Sequence, residues 1–124
     1  QALAKKFKKD VKIDKNFIEI PSNGIDLNQR QHWIKEIMQT KRKDLPDYVK
    51  LWSKNIYGKT ISFKENSIIF THFMVINALI SEITNSETII YFHPGYTSIV
   101  KIQVDNEKIK SFLLEDSKKT HINL

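Results

Sequence analysis

Apolar residues recur at helical spacing in four stretches of the chain and alternate with polar ones near its end, which orders the elements before any motif is considered. Leu3 and Phe7 stand at i, i+4 with Lys5, Lys6, Lys8 and Lys9 turned to water, predicting an opening helix over about residues 1–9. Val11-Lys12-Ile13 alternates like a short strand, and Phe17-Ile18-Glu19-Ile20 runs into a loop marked by Pro21 and Gly24. From Asp26, a good N-cap, Leu27, Trp33, Ile34, Ile37 and Met38 predict an amphipathic helix to about Thr40. After the charged connection Lys41-Arg42-Lys43-Asp44, Leu45-Pro46-Asp47 opens a second long helix carrying Tyr48, Val49, Trp52 and Ile56, with Phe63 a candidate for its end, weakened in its last turns by Gly58. Ser67-Ile68-Ile69-Phe70-Thr71 is a continuous apolar run of the kind that forms a strand covered on both faces. Directly after His72, Val75, Ile76, Leu79, Ile80 and Ile83 share one face of a helix ending near Thr84-Asn85. Ser98 to Val104 and Lys108 to Leu114 alternate about Asp105-Asn106, predicting a β-hairpin.

No repeat, low-complexity tract or Gly/Ser linker divides the chain, so residues 1–124 are expected to form a single domain. With 40% hydrophobic residues it can build a core, and with no cysteine it has neither disulfides nor cysteine-ligated metals. Its longest apolar stretch, Ile76 to Ile83, is broken by Asn77, Ser81 and Glu82 and is too short to span a membrane. The net charge of +6 is local: residues 1–62 carry 14 basic and 7 acidic side chains, residues 63–124 only 6 and 7. Eighteen of the basic residues are Lys, while only Arg30 and Arg42 offer the rigid fork that reads bases and phosphates. Nucleic acid is therefore not an expected partner, and a membrane is not either.

Candidate chemistry concentrates at one histidine. His72 falls at the carboxyl end of the expected buried strand and at the mouth of the next helix, where open α/β sheets place their ligands. The helix start adds backbone donors from Phe73 and Met74 and a positive dipole, so a phosphate is the natural guest. The plainer alternative is a partly buried imidazole bonded to backbone. Glu19, flanked by Phe17, Ile18, Ile20 and Pro21, is expected to be partly desolvated, which raises a carboxyl pKa and suits a general acid. Its alternative is an exposed residue on the far side of an extended segment. His32 lies on a polar helix face, His93 precedes Pro94-Gly95 in a loop, and His121 sits in a tail prone to fraying. None of these makes a metal-ligand spacing, so no metal is expected, and neither a Gly-rich phosphate loop nor a Gly-x-Ser-x-Gly elbow occurs.

The segment Ser67-Ile68-Ile69-Phe70-Thr71-His72-Phe73-Met74-Val75-Ile76-Asn77-Ala78-Leu79-Ile80 resembles the histidine phosphatase superfamily, the phosphoglycerate-mutase-like proteins, around their second conserved histidine. Gln1-Ala2-Leu3-Ala4 is similar to the helix after that family's arginine-containing helix start, Phe17-Ile18-Glu19-Ile20 to its acidic-loop segment, and Tyr96-Thr97-Ser98-Ile99 to its late strand. The likeness spans nearly the whole chain in the family's order. It implies a three-layer α/β/α phosphoglycerate-mutase-like sandwich, here incomplete and ending in a β-hairpin. It also implies phosphoryl transfer through a phosphohistidine, with His72 as the second, phosphate-holding histidine, Phe73 as a backbone phosphate donor and Glu19 as the acid. No cofactor is implied. Where the family usually has Gly after this histidine, Phe73 and Met74 give the pocket a bulkier wall.

The family's nucleophile belongs to an Arg-His-Gly motif, which occurs nowhere in these 124 residues. Arg30 and Arg42 lie in the wrong part of the family order to stand in for its phosphate-clamping arginines. Gln1 also looks like the interior of a helix, without an initiator Met or a signal sequence, so a longer protein or an incomplete sequence is expected. The resemblance thus implies a phosphomonoesterase, more a phosphatase than a mutase given the short stretch from Glu19 to His72, from a cytoplasmic, bacterial source. Its partner would be a phosphorylated small molecule or phosphoprotein. The chain alone is expected to be inactive and, with strand positions vacant, marginally stable or prone to oligomerise through open edges. The competing reading is a non-catalytic α/β module that binds a phosphorylated ligand or a protein partner.

Overall fold

The computed structural model describes residues 12–91, 99–115 and 119–123. The opening helix expected over about residues 1–9, and Tyr96-Thr97-Ser98, lie outside the described residues. Three α-helices, Leu27–Gln39 (α1), Asp47–Ile61 (α2) and Phe73–Thr84 (α3), precede an antiparallel sheet of Ile99–Asp105 (β1), Lys108–Glu115 (β2) and Lys119–Asn123 (β3) in the order β1-β2-β3. The domain is a small mixed α/β unit.

The helix boundaries follow from local chemistry. Asp26 is extended just before α1, and the Thr40 hydroxyl donates to Glu36 O at 2.7 Å at its far end. Pro46 cannot continue a ladder behind it, and its carbonyl accepts the N–H groups of Val49 and Lys50, both at 3.0 Å, to start α2. Gly58 does not stop α2, which runs on to Ile61. Asn85 ends α3 in the left-handed conformation, with φ of 54°.

Helix α3 is the centre of the packing. On one side Met74, Val75, Ala78 and Leu79 join Val49, Trp52 and Ile56 of α2, together with Phe17, Ile20, Ile37, Leu45 and Ile89. On the other, Ile80 meets Phe112 and Leu114 of β2, with Val100 and Ile102 of β1 packed alongside. Covered twice, α3 buries even Asn77 and Ser81. Each has a partner: Asn77 Oδ1 accepts the Tyr91 N–H at 2.6 Å, and the Ser81 hydroxyl donates to Ile89 O at 2.8 Å. These bonds fasten the segment after α3 back onto its own helix.

The expected hairpin is present, with its turn one residue later than the sequence suggests. Asp105 pairs with Lys108, and Asn106 and Glu107 both take positive φ, 51° and 60°. Two successive left-handed residues match the twist of the flanking strands. The ladder slips by one between Gln103 and Val104, because Gln103 faces Ser111 while Val104 faces Ile109, leaving Lys110 as the extra residue. The slip keeps Ile109 on the inner face beside Val104 while Phe112 and Leu114 face Ile102 and Val100. The tail expected to fray instead has its backbone paired as β3, with Leu113 opposite His121.

Two expected strands are corrected. Lys12 and Ile13 carry no regular structure and Ile13 is exposed. The reason is Asp14, whose carboxylate accepts the Asn16 N–H at 2.9 Å and starts a 3-10 turn, Lys15–Phe17. Residues 67–71 are not a strand covered on both faces either: Ile68, Ile69 and Phe70 are 70%, 39% and 77% exposed. Apolar content alone does not make a strand, and among the described residues no neighbouring backbone is hydrogen-bonded to them in a ladder.

Two substitutions test this packing. Phe112→Ala is expected to cost about 3–5 kcal/mol by opening a cavity between α3 and the sheet. Gly58→Ala is expected to add about 0.5–1 kcal/mol, because nothing lies within 4 Å of the added methyl and the helix there is ordinary. Urea unfolding midpoints read both.

Candidate functional site

Glu19 stands in a segment held from both sides. Phe17 and Ile20 are buried, so the backbone between them is fixed while Ile18 and Glu19 turn outward. The Thr71 hydroxyl donates to Phe17 O at 2.8 Å, and the Trp52 indole N–H donates to Ile18 O at 3.2 Å. Phe17 also stacks on Phe63, ring centres 6.1 Å apart. Upstream, Asp14 accepts from both the backbone and the side chain of Asn16 and pairs with Lys59 at 3.5 Å. The Asn16 N–H holds the Asp14 carboxyl below its ordinary 3.8, with Lys59 assisting, against some desolvation.

Thr71 immediately precedes His72, so the bond to Phe17 sets the two segments side by side. His72 is the N-cap of α3, and its carbonyl accepts the Ile76 N–H at 3.1 Å. Its side chain makes no capping bond, which leaves the ring directed elsewhere. His72 Nδ1 lies 3.9 Å from Glu19 Oε2, while Glu19 Oε1 accepts the Ile20 N–H at 3.1 Å. Residues 19 and 72, remote in sequence, therefore converge. The gap is too long for a hydrogen bond, and the side chains are 59% and 40% exposed, so when the imidazole is charged the pair contributes at most ~1 kcal/mol. Its interest is placement.

The imidazole is solvent-facing at a helix start, with Phe73 at the first position of α3, but it does not stand at the carboxyl end of a buried strand, because residues 67–71 form none. The Glu19 side chain is 40% exposed, because its buried neighbours, Phe17 and Ile20, turn their side chains the other way. His32 pairs with Glu36 at 3.0 Å on the exposed face of α1. His93 lies outside the described residues. Among the described residues no cluster of three or more His, Asp or Glu side chains could hold a metal ion.

A second polar centre went unread in the sequence. Arg42 Nη2 lies 2.9 Å from Glu82 Oε1, and Arg42 Nη1 donates to Asn85 Oδ1 at 3.3 Å and Ser86 O at 3.1 Å. The Ser53 hydroxyl completes the set on Glu82 at 3.0 Å, and the Arg42 N–H donates to Glu87 O at 2.8 Å. The guanidinium thus neutralises the carbonyl end of α3. A cleft of about 550 Å³ opens there, lined in part by Lys43, Lys50 and Lys54. Since α3 has 12 residues, this centre is about 18 Å from His72 by helix rise. Arg42 is a tie between elements and cannot clamp a phosphate at His72. The signal that could have found it is Glu82, a carboxylate inside an otherwise apolar helical stretch, which demands a cation.

Comparison with family models, with curated proteins and with solved structures finds no match to the chain. No helix among the described residues is long and apolar enough to cross a membrane.

Asp14 supplies a pH test of the scaffold under Glu19. A carboxyl whose folded pKa is depressed stabilises the fold fully above its unfolded pKa and loses that contribution as pH falls through the folded value. Asp14→Asn is therefore expected to lower stability at neutral pH, with the difference from the parent shrinking as pH drops below 3.8. Parallel urea titrations at several pH values measure it.

Proposed function

We propose that this chain forms part of a phosphomonoesterase of the histidine phosphatase family, in which His72 holds the phosphoryl group and Glu19 handles the proton of the leaving group. The observation that carries the reading is the convergence of His72 and Glu19, 3.9 Å apart at the start of α3. Two residue types with separate duties in phosphoester cleavage share one solvent-facing spot.

The chemistry assigns each a task. An in-line histidine nitrogen attacks phosphorus, the P–O bond to the alcohol breaks, and the departing alkoxide takes a proton from Glu19. Charge on the equatorial oxygens is met by the His72 imidazole N–H and by the N-terminal dipole of α3 at Phe73. Water then attacks the phosphohistidine, with Glu19 receiving a proton, and inorganic phosphate leaves. The attacking histidine is not supplied by these 124 residues, since they contain no Arg-His-Gly. The three-layer sandwich belongs to the same proposal and rests on the likeness of residues 67–80 to the family's segment around its second histidine. So do a cytoplasmic location and a phosphorylated small molecule or phosphoprotein as substrate.

Titration with inorganic phosphate is the direct test. The His72 ring resonances and the Phe73 amide are expected to move with millimolar phosphate, and His72→Gln is expected to abolish the Phe73 response. No movement, or movement indifferent to His72→Gln, overturns the assignment. The chain by itself is expected to hydrolyse no generic phosphomonoester; measurable turnover contradicts the missing nucleophile. An in-frame Arg-His-Gly in the coding sequence upstream of Gln1 supports the enzyme, whereas a start codon directly before Gln1 favours a binding module.

A further inference from the structure

The cleft at the carbonyl end of α3 holds positive charge that neither the packing nor the proposed function uses. A helix C-terminus ordinarily repels anions, because its last carbonyls carry the negative end of the dipole. Here that end is already occupied: Arg42 binds Asn85 Oδ1, Ser86 O and the Glu82 carboxylate, and Lys41 Nζ stands 3.4 Å from Glu87 Oε1. The two carboxylates that line the cleft, Glu82 and Glu87, therefore each have a cation. Lys43, Lys50 and Lys54 line the same cleft, and among the described residues none of the three is paired with a carboxylate. The acidic residues nearest to them in sequence, Asp44 and Asp47, do not line it.

The lysines are brought together by two elements. Lys43 belongs to the 3-10 turn Arg42–Asp44, which the Arg42 N–H fastens to Glu87 O at 2.8 Å. Lys50 and Lys54 stand at i, i+4 on α2, ~6 Å apart along its axis. Like charges at that spacing oppose each other and gain from an anion set between them. Lys50 is half-buried, and Leu45 and Ile89, both buried, give the cleft an apolar wall. A concave surface of one sign of charge with a low-dielectric wall concentrates the field on whatever enters it.

Size and composition specify the guest. A volume of about 550 Å³ falls among small-molecule sites, which run from about 300 to 1,000 Å³. Ammonium groups are point charges without a planar fork, so they select charge more than shape, and three of them match the several charges of an oligophosphate. No large exposed apolar side chain lines the cleft, so nothing there would enter a lipid surface.

We propose that this cleft binds the di- or triphosphate group of a small soluble molecule through Lys43, Lys50 and Lys54, with Arg42 holding the wall rather than touching the ligand. The site is about 18 Å from His72 by helix rise and stands whether or not the phosphatase reading does.

Inorganic tripolyphosphate, added to the whole 124-residue chain at low ionic strength, is the probe. Calorimetry is expected to show one saturable site, and the amides of Lys43, Lys50, Ser53 and Lys54 are expected to shift, in the parent and in His72→Gln alike. Replacing Lys43, Lys50 and Lys54 together by Gln is expected to weaken binding at least ~10-fold, with circular dichroism matching the parent. The control replaces Lys35, Lys108 and Lys110 by Gln; these are exposed and outside the cleft, give the same net charge, and are expected to change binding less than ~3-fold. Absence of saturable binding up to about millimolar tripolyphosphate overturns the proposal. So does equal weakening in the two triple variants, which marks diffuse attraction to the net charge of +6. A single-stranded oligonucleotide that binds more tightly than tripolyphosphate and is lost with the same three lysines assigns them to a polymer and overturns it too.

Discussion

Burial of α3 on two opposite sides is the constraint from which the rest of the molecule follows. A helix packed against α2 by Val75 and Leu79 and against the sheet by Ile80 has almost no face left for water. Every polar group it carries must then find a partner inside the protein. Asn77 takes the Tyr91 N–H, Ser81 takes Ile89 O, and Glu82 takes Arg42 and Ser53. Those obligations fold the following segment back along the helix and hold the turn at Arg42 against its end.

With its length and far end committed, α3 has one terminus left to act with. His72 occupies it, and Thr71 one residue earlier reaches Phe17 O. Trp52, itself part of the core, takes the next carbonyl, Ile18 O. Glu19 thus inherits its position from two donors fixed by packing elsewhere, although its own pairing with His72 is weak and solvent-screened. A site of this kind is stiff because of what lies beneath it.

The helices were legible because their periodicity is long and their ends are marked by Asp26, Pro46 and Asn85. The hairpin was legible for the same reason, except that the choice of turn residues depended on the slip at Lys110, which no alternation reveals. Residues 67–71 misled because an apolar run records a tendency to be covered, while a strand also needs a neighbouring backbone. His72 and Glu19 could be named singly, yet their proximity depends on the Thr71–Phe17 and Trp52–Ile18 bonds, which have no local signature. Arg42 was hidden for a similar reason: within a charged stretch it looks like surface until Glu82 is placed across from it.

The extra residue in β2 sets which changes of length the hairpin can absorb. Without Lys110, Ile109 and Phe112 would stand two apart in a regular ladder and keep the same side toward α3, whereas loss of one residue elsewhere in β2 would turn the inner positions on one side of the loss toward solvent. A single residue can thus be dropped at the kink, while the same indel farther along the strand would invert half of the wall on which the central helix rests.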